Sequence, residues 1–200
     1  ADPKAAILTL TEMCQRPATA AGWIEQVKKL VASWRGETEP LRNSDAVPMR
    51  PERLCKEIGD WLPQDGYLVA DTGYSSQWTG TTVYLNNPKQ RYLKAAGSLG
   101  WAFPAALGVK CAMPDRPVVC FTGDGGLMYH LLELETARRH DLNTVTIVNN
   151  NSRLNQGRRA IDAAYNGRSG NKDEIYVYRE TNFATIAEEM GCFGIRVENP

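Results

Sequence analysis

The stretch Val118-Val119-Cys120-Phe121-Thr122-Gly123-Asp124-Gly125-Gly126, answered by Val145-Thr146-Ile147-Val148-Asn149-Asn150-Asn151, decides the fold of this chain. Each half opens on a short, continuous apolar run and closes on turn-forming residues. That is the pattern of a strand buried on both faces of a parallel sheet. Between the halves, Leu127 to Arg139 reads as a helix, so the whole is one right-handed strand-helix-strand unit. Two parallel strands end at the same edge of their sheet, and open α/β sheets bind ligands beyond that edge.

The same alternation extends to both sides. Upstream, Glu52 to Leu62 is an amphipathic helix with Pro51 near its start. Tyr67-Leu68-Val69-Ala70 is a buried strand running into Asp71-Thr72-Gly73, and Trp101 to Met113 is an Ala-rich helix behind Gly97-Ser98-Leu99-Gly100. Downstream, a polar stretch dotted with Gly157, Gly167 and Gly170 leads to a strand-like Ile175-Tyr176-Val177-Tyr178, a helix over Asn182 to Met190 and a last strand at Gly194-Ile195-Arg196-Val197. The first 40 residues carry helical spacing, and Gly36, Pro40 and Pro48 mark a linker between Arg35 and Arg50. The fold class is α/β, a parallel sheet with helices on both faces.

Composition narrows the function. In 200 residues, 23 Lys and Arg balance 23 Asp and Glu, so no long-range positive field draws the chain to nucleic acid or an anionic membrane. No apolar run approaches the ~18 residues of a spanning helix. Five scattered cysteines without a CxxC, and only two histidines, argue against a zinc site and for reduced thiols. The expectation is a cytoplasmic protein.

At the strand ends, Gly123 and Gly125 clear side chains from where backbone approaches a ligand, and the helix that follows turns N–H groups toward it. A carboxylate, Asp124, standing there would repel a phosphate unless a cation lay between them. Magnesium suits such a place, with one carboxylate, neutral oxygens from the asparagines and the oxygens of the phosphate itself. A dinucleotide fold would need a third glycine where Met128 stands and an acid at the next strand end, where asparagines stand. A P-loop is absent.

Gly123-Asp124-Gly125, then residues 126–149, then Asn150-Asn151 resembles the signature of the thiamine-diphosphate enzymes of the acetolactate synthase and 2-oxoacid decarboxylase group. The block from Gly97 to Gly108, Asp71-Thr72-Gly73 followed by Trp78, and the helix from Phe183 resemble further segments of that family. The resemblance implies a thiamine-diphosphate-binding fold over residues 48–200, short of the family's final strand, with residues 1–47 as the tail of a central domain plus a linker. It implies thiamine diphosphate and Mg2+ as cofactors. Asp124, Asn151 and the Arg153 carbonyl would be the magnesium ligands, with Asn150 and Ser152 as alternatives one residue away. Gly73, Tyr74, Ser75, Gly123, Gly125 and Gly126 would hold the diphosphate. Leu99 matches the apolar wedge that bends the cofactor, and the Gly97 carbonyl would accept from its 4′-amino group.

The glutamate that activates the cofactor in this family belongs to a pyrimidine-binding domain outside these residues, so no catalytic residue is assigned. The implied function is a lyase, decarboxylase or carboligase (an acyl transferase) acting on a 2-oxoacid or related acyl donor, in a homodimer or tetramer. The alternative is a cofactor-binding subunit or fragment, inactive without a separate pyrimidine-binding domain. Two departures stand out: Asn155 replaces a glycine frequent in relatives, and Gln156 to Tyr165 does not match the acetolactate synthase region that shapes the acceptor site. Arg158 and Arg159 in that region are candidates for pairing with a substrate carboxylate.

Overall fold

The structure is a computed structural model that describes residues 2–14 and 20–200. Ala1 and residues 15–19, part of the expected central-domain tail, lie outside the described residues. The chain forms two compact units, Ala1–Pro40 and Leu41–Pro200.

The first unit is helical. α1 (Pro3–Met13) is capped by Asp2, whose side chain accepts from the Lys4 and Ala5 N–H groups, and Pro3 opens the helix where a missing N–H costs nothing. α2 (Ala20–Arg42) runs on through Gly36 and Pro40, where a linker was expected. Pro40 falls in the last turn, so it interrupts little of the hydrogen-bond ladder. The end of the helix lies in the second unit and is anchored there: the Arg42 guanidinium donates to the Thr82 carbonyl at 2.5 Å and stacks 3.8 Å over the Tyr84 ring. No described helix is long and apolar enough to cross a membrane.

The second unit runs α3 (Pro51–Trp61), β1 (Tyr67–Ala70), α4 (Tyr74–Thr82), β2 (Arg91–Lys94), α5 (Ala102–Ala112), β3 (Val118–Gly123), α6 (Asp124–Tyr129), α7 (Glu133–Arg139), β4 (Val145–Asn149), α8 (Arg158–Tyr165) and α9 (Phe183–Glu189). The four strands are all parallel, in the order β2-β1-β3-β4. Successive side chains of a strand face opposite ways, and the core divides accordingly. Leu68, Val119 and Phe121 pack with Ile58 and Leu62 of the α3 segment and with Val83 beyond α4. Val69, Val118 and Cys120 pack against Phe103 and Leu107 of α5, Leu127 of α6 and Phe183 of α9. Helices therefore cover both faces, the α/β architecture that the apolar runs called for.

Several elements depart from the sequence reading. β2 and α4 were not foreseen. β2 is an edge strand with charge at both ends, too short and too polar to show a buried run. α4 is built from Ser, Thr and Gly, and its threonines turn their hydroxyls back to the carbonyls of Ser75, Gln77 and Trp78. α6 opens at Asp124 itself rather than near Leu127, and the expected single helix breaks at His130–Leu132. There, i→i+3 bonds from His130 and Glu133 tighten the winding and bring Leu131 and Leu134 onto the core.

The polar stretch after β4 is not a plain loop: it makes a 3-10 turn at Asn155–Gly157, α8, and a second turn at Lys172–Ile175. No strand forms at 175–178 or at 194–197. Tyr176 to Tyr178 run antiparallel to Ser152–Leu154 instead of joining the sheet. Ile195 and Val197 stay exposed, because β4 pairs only with β3 among the described residues and a strand needs a ladder to join.

Candidate functional site

Because the sheet is parallel, the residues that follow β1, β2, β3 and β4 meet at one edge. These are Gly73–Ser75, Gly97–Leu99, Gly123–Gly126 and Asn150–Arg153. The order 2-1-3-4 also places a switch point between β1 and β3: the connection from β1 leads outward to β2, that from β3 outward to β4. A crevice opens where neighbouring connections diverge, and it is flanked here by Gly73 and Gly123.

Asp124 stands in the first turn of α6, buried, with 4% of its surface exposed. Its Oδ1 accepts from the Gly125 N–H at 2.7 Å and its Oδ2 from the Arg153 N–H at 3.0 Å. That same Arg153 N–H also reaches Asn151 Oδ1, at 3.1 Å. One donor thus gathers the carboxylate after β3 and the amide oxygen after β4. Among the described residues no cationic side chain pairs with Asp124, and no three His, Cys, Asp or Glu side chains cluster.

The neighbouring asparagine is engaged elsewhere. Asn150 donates from Nδ2 to the Thr181 carbonyl at 2.9 Å and accepts on Oδ1 from the Ser152 N–H at 3.1 Å. Ser152 has φ +55°, a left-handed turn that brings the Arg153 N–H back to the Asn151 side chain. The segment is fastened from outside by the Leu154 N–H on the Tyr176 carbonyl, 2.8 Å, and the Tyr178 N–H on the Ser152 carbonyl, 2.7 Å. Both bonds come from residues flanking Arg153, so the N–H and C=O of Arg153 face the other way, toward Asp124.

The glycines of this edge have different reasons. A Cβ on Gly123 would meet nothing nearer than the Ser75 Oγ at 3.7 Å, so that glycine keeps the crevice open. A Cβ on Gly125 would meet Leu154 Cδ2 at 2.7 Å and the Tyr178 hydroxyl at 3.0 Å, and one on Gly126 would meet Thr122 Oγ1 at 2.5 Å and Asp71 at 2.9 Å. These two make room for protein. Gly73, at φ +72°, turns the chain from β1 into α4, whose first residues are Tyr74 and Ser75. Ser75 is buried beside Gly123, and its hydroxyl has no hydrogen-bond partner among the described residues. Burial pushes the Tyr178 phenol up, and the Asp124 carboxylate adds to the shift, so it stays protonated at neutral pH.

Gly97 is exposed at φ +129° with open space around it, and Leu99 is half-buried and joins neither core cluster. Their loop is held by Asp71, which the sequence places in a family-like segment without giving its side chain a role. Asp71, 1% exposed, accepts from the Gly100 N–H at 3.1 Å on each oxygen, from the Thr122 hydroxyl at 3.2 Å, from the Ala102 N–H at 3.4 Å and from the Thr72 N–H at 2.7 Å. It ties the ends of β1 and β3 to the start of α5. The sequence signals were an acid at a strand end and the Asp71-Thr72-Gly73 segment around it, and neither names the donors that this carboxylate gathers.

A shallow depression of about 340 Å³ lies beside the Gly73 turn, lined by Tyr74, Asn155, Arg158, Arg159 and Asp162.

Comparison with known proteins gives a consistent match. Residues 71–200 match the family described as thiamine pyrophosphate enzyme, C-terminal TPP binding domain. The acetolactate synthase large subunit of Buchnera aphidicola subsp. Acyrthosiphon pisum is 29% identical over 180 residues, 89% of this chain and 30% of that protein. The isozyme 3 large subunit of Escherichia coli K12 is 27% identical over the same shares, and the large subunit of Lactococcus lactis is 28% identical over the whole chain and 34% of its own length. The chain spans about a third of the length of these curated relatives.

Proposed function

The chain belongs to the thiamine pyrophosphate enzymes, as their C-terminal TPP-binding domain, and from that premise we propose that it is the diphosphate-and-magnesium half of a lyase or carboligase acting on a 2-oxoacid or related acyl donor. One observation carries the reading: Asp124 and Asn151, from two strand ends, converge on a single N–H beside an uncrowded crevice.

The donor set fits a hard cation. Asp124 is a buried carboxylate without a cationic partner, and a bare buried charge is costly unless something pairs with it. Asn151 offers a neutral oxygen that shares the Arg153 N–H with Asp124, whereas the Asn150 amide is turned to Thr181 and Ser152. The Arg153 carbonyl faces the same side as its N–H and receives no N–H from the described residues. Asp124, Asn151 and Arg153 would therefore hold Mg2+, a hard cation that would offset the negative charge of the diphosphate beside Asp124. The α4 N-terminus, the Ser75 hydroxyl and the Gly123–Gly126 backbone would position the diphosphate.

When bound, thiamine diphosphate would supply a nucleophilic carbon and an electron sink for cleaving the bond beside a 2-oxo group. The part of this chain is to bind and shape. Leu99, left outside the core, is free to stand beneath the cofactor as a wedge, and Asp71 fixes the loop that presents it. No glutamate gathers at this edge among the described residues. Turnover is accordingly proposed to need a pyrimidine-binding domain, in a homodimer or tetramer whose subunits complete one another's sites.

Calorimetric titration of thiamine diphosphate tests the reading, in magnesium and in EDTA, on the wild type and on Asp124→Ala, Asn151→Ala and Asn150→Ala. Binding should require magnesium and Asp124, and should weaken more for Asn151→Ala than for Asn150→Ala. Binding indifferent to both EDTA and Asp124→Ala would remove the metal from the proposal. Joining the chain to a pyrimidine-binding domain should then give consumption of a 2-oxoacid, and sedimentation should report a dimer or tetramer.

A further inference from the structure

The depression beside the Gly73 turn gathers charged side chains that the proposed cofactor site does not use. Two guanidinium groups, Arg158 and Arg159, face it together with one carboxylate, Asp162. That carboxylate is engaged more closely by Lys172, whose Nζ lies 2.5 Å from Oδ1, than by Arg158, whose Nε lies 3.6 Å from Oδ2. Arg159 has no ion pair among the described residues. The depression thus keeps an excess of positive charge. Both arginines occupy the first turn of α8, the helix end where the macrodipole disfavours cations. The fold places them against their local preference, and an anion between them would relieve it.

Asn155 adds the neutral donor. Its Oδ1 is turned inward, buried and without a hydrogen-bond partner. Its Nδ2 makes no hydrogen bond with the described residues either, yet is not sealed from solvent, so the NH2 end is the face left to the depression. A buried amide oxygen without a donor is costly, and such groups call for a reason beyond folding. Here the reason is orientation, because the inward oxygen commits the outward end to donating. Two guanidinium groups and one amide N–H supply the donors, the Asp162 carboxylate being taken up by Lys172 and Arg158, and a planar carboxylate is the group that guanidinium forks bind in register. A volume of about 340 Å³ holds a small acid.

We infer that this depression is a carboxylate site, in which Arg158, Arg159 and Asn155 Nδ2 take the carboxylate of a small 2-oxoacid. The identity of the acid rests on the proposed function above; the carboxylate preference rests on the donor set alone. Tyr74 joins this site to the edge described above, since it lines the depression and opens α4 directly after Gly73.

The test uses the 15N-labelled 200-residue chain and pyruvate as probe, with inorganic phosphate as the competing anion. Thiamine diphosphate with magnesium is titrated separately into the same samples by calorimetry. Pyruvate should give saturable shifts of the Asn155 side-chain NH2 and of the Arg158 and Arg159 Nε–H signals, weakening with added salt. The double variant R158Q/R159Q should bind pyruvate about tenfold more weakly or worse, with cofactor binding unchanged. N155A should weaken it less, and both variants should keep the wild-type amide spectrum outside residues 155–165.

Pyruvate binding without thiamine diphosphate binding would sink the cofactor reading and uphold the carboxylate site. Normal cofactor binding with no pyruvate shifts at these residues would overturn the site and leave the cofactor reading intact. Phosphate shifting the same signals as strongly as pyruvate would also overturn it, by reducing the site to a patch for any anion.

Discussion

Replacing Asp71 with alanine should cost about 3–5 kcal/mol of stability, more than any other single polar change at this edge. The carboxylate accepts from four donors: the N–H groups of Thr72, Gly100 and Ala102 and the hydroxyl of Thr122. Each unsatisfied buried donor costs about 1–3 kcal/mol. The full sum is not reached, because the Thr122 hydroxyl can turn to the Gly123 carbonyl, 3.2 Å away, and the space left by the carboxylate admits a water. Asn at this position keeps one acceptor but sets an NH2 against a donor, so about 1–3 kcal/mol is expected, between wild type and alanine. Urea unfolding followed by far-UV circular dichroism gives the stabilities, and hydrogen exchange over residues 95–103 gives the local effect. Exchange at Gly100 should quicken most in the alanine variant, where that N–H loses both oxygens, and less in the asparagine variant, which keeps one of them. An alanine variant within about 1 kcal/mol of wild type, with unchanged exchange at Gly100, would refute the claim that this carboxylate latches the Gly97–Gly100 loop.

The remaining predictions separate causes that look alike. Gly126→Ala should destabilise by about 1–3 kcal/mol, because its Cβ runs into Thr122 and Asp71. Gly123→Ala should leave the urea midpoint nearly unchanged and weaken thiamine diphosphate binding, and the reverse pattern would mean that the crevice is not where the diphosphate lies. Alkylation at pH 8 followed by mass spectrometry should label exposed Cys14 and Cys111 first. Cys55 and Cys120 should wait for unfolding, since burial pushes the Cys55 thiol up to about 11 and the Cys120 thiol higher still. Lys172→Met should raise the Asp162 carboxyl, which the Lys172 ammonium now holds below its ordinary value, as read by carbon-detected NMR. The sign follows from the lowered value: the pair adds stability above about pH 4, fading as pH falls through the folded-state value, so the variant should lose that dependence on the acid side.

How much of this was legible depended on where each residue finds its partners. β3 shows in the sequence because a strand buried on both faces must be apolar throughout, as Val118 to Phe121 are, whereas β4 is a half-buried edge strand that shows only through Val145, Ile147 and Val148. β2 escapes notice because half of its residues are charged, as suits an edge. α4 does so because its Ser, Thr and Gly content argues against helix until Tyr92 is in place to bond the buried Thr79 hydroxyl at 3.0 Å. The strand expected at 175–178 rested on a genuine apolar alternation, but those residues spend it on the Asn150–Leu154 turn, a use that pattern alone does not separate from sheet pairing.

The candidate site divides along the same line. Gly123-Asp124-Gly125 is a local statement, complete within one turn, and could be read directly. The asparagine register is not local. Asn149 ends β4, Asn150 is drawn to Thr181 across 31 residues, and Asn151 reaches the Arg153 N–H only because Ser152 adopts a left-handed turn. Neighbouring identical side chains, Asn150 and Asn151, therefore acquire different tasks from partners that the sequence places far apart or encodes in a backbone angle. Asp71 is the extreme case, since its meaning comes from Gly100 and Ala102, 29 and 31 residues away, and from Thr122, 51 away. Gly126 follows from it: with the latch and Thr122 packed against its Cα, no side chain fits, so that glycine answers to Asp71 rather than to a ligand. Within Gly123-Asp124-Gly125-Gly126, the two glycines that face protein and the one that faces open space are alike in the motif and separate only in the fold.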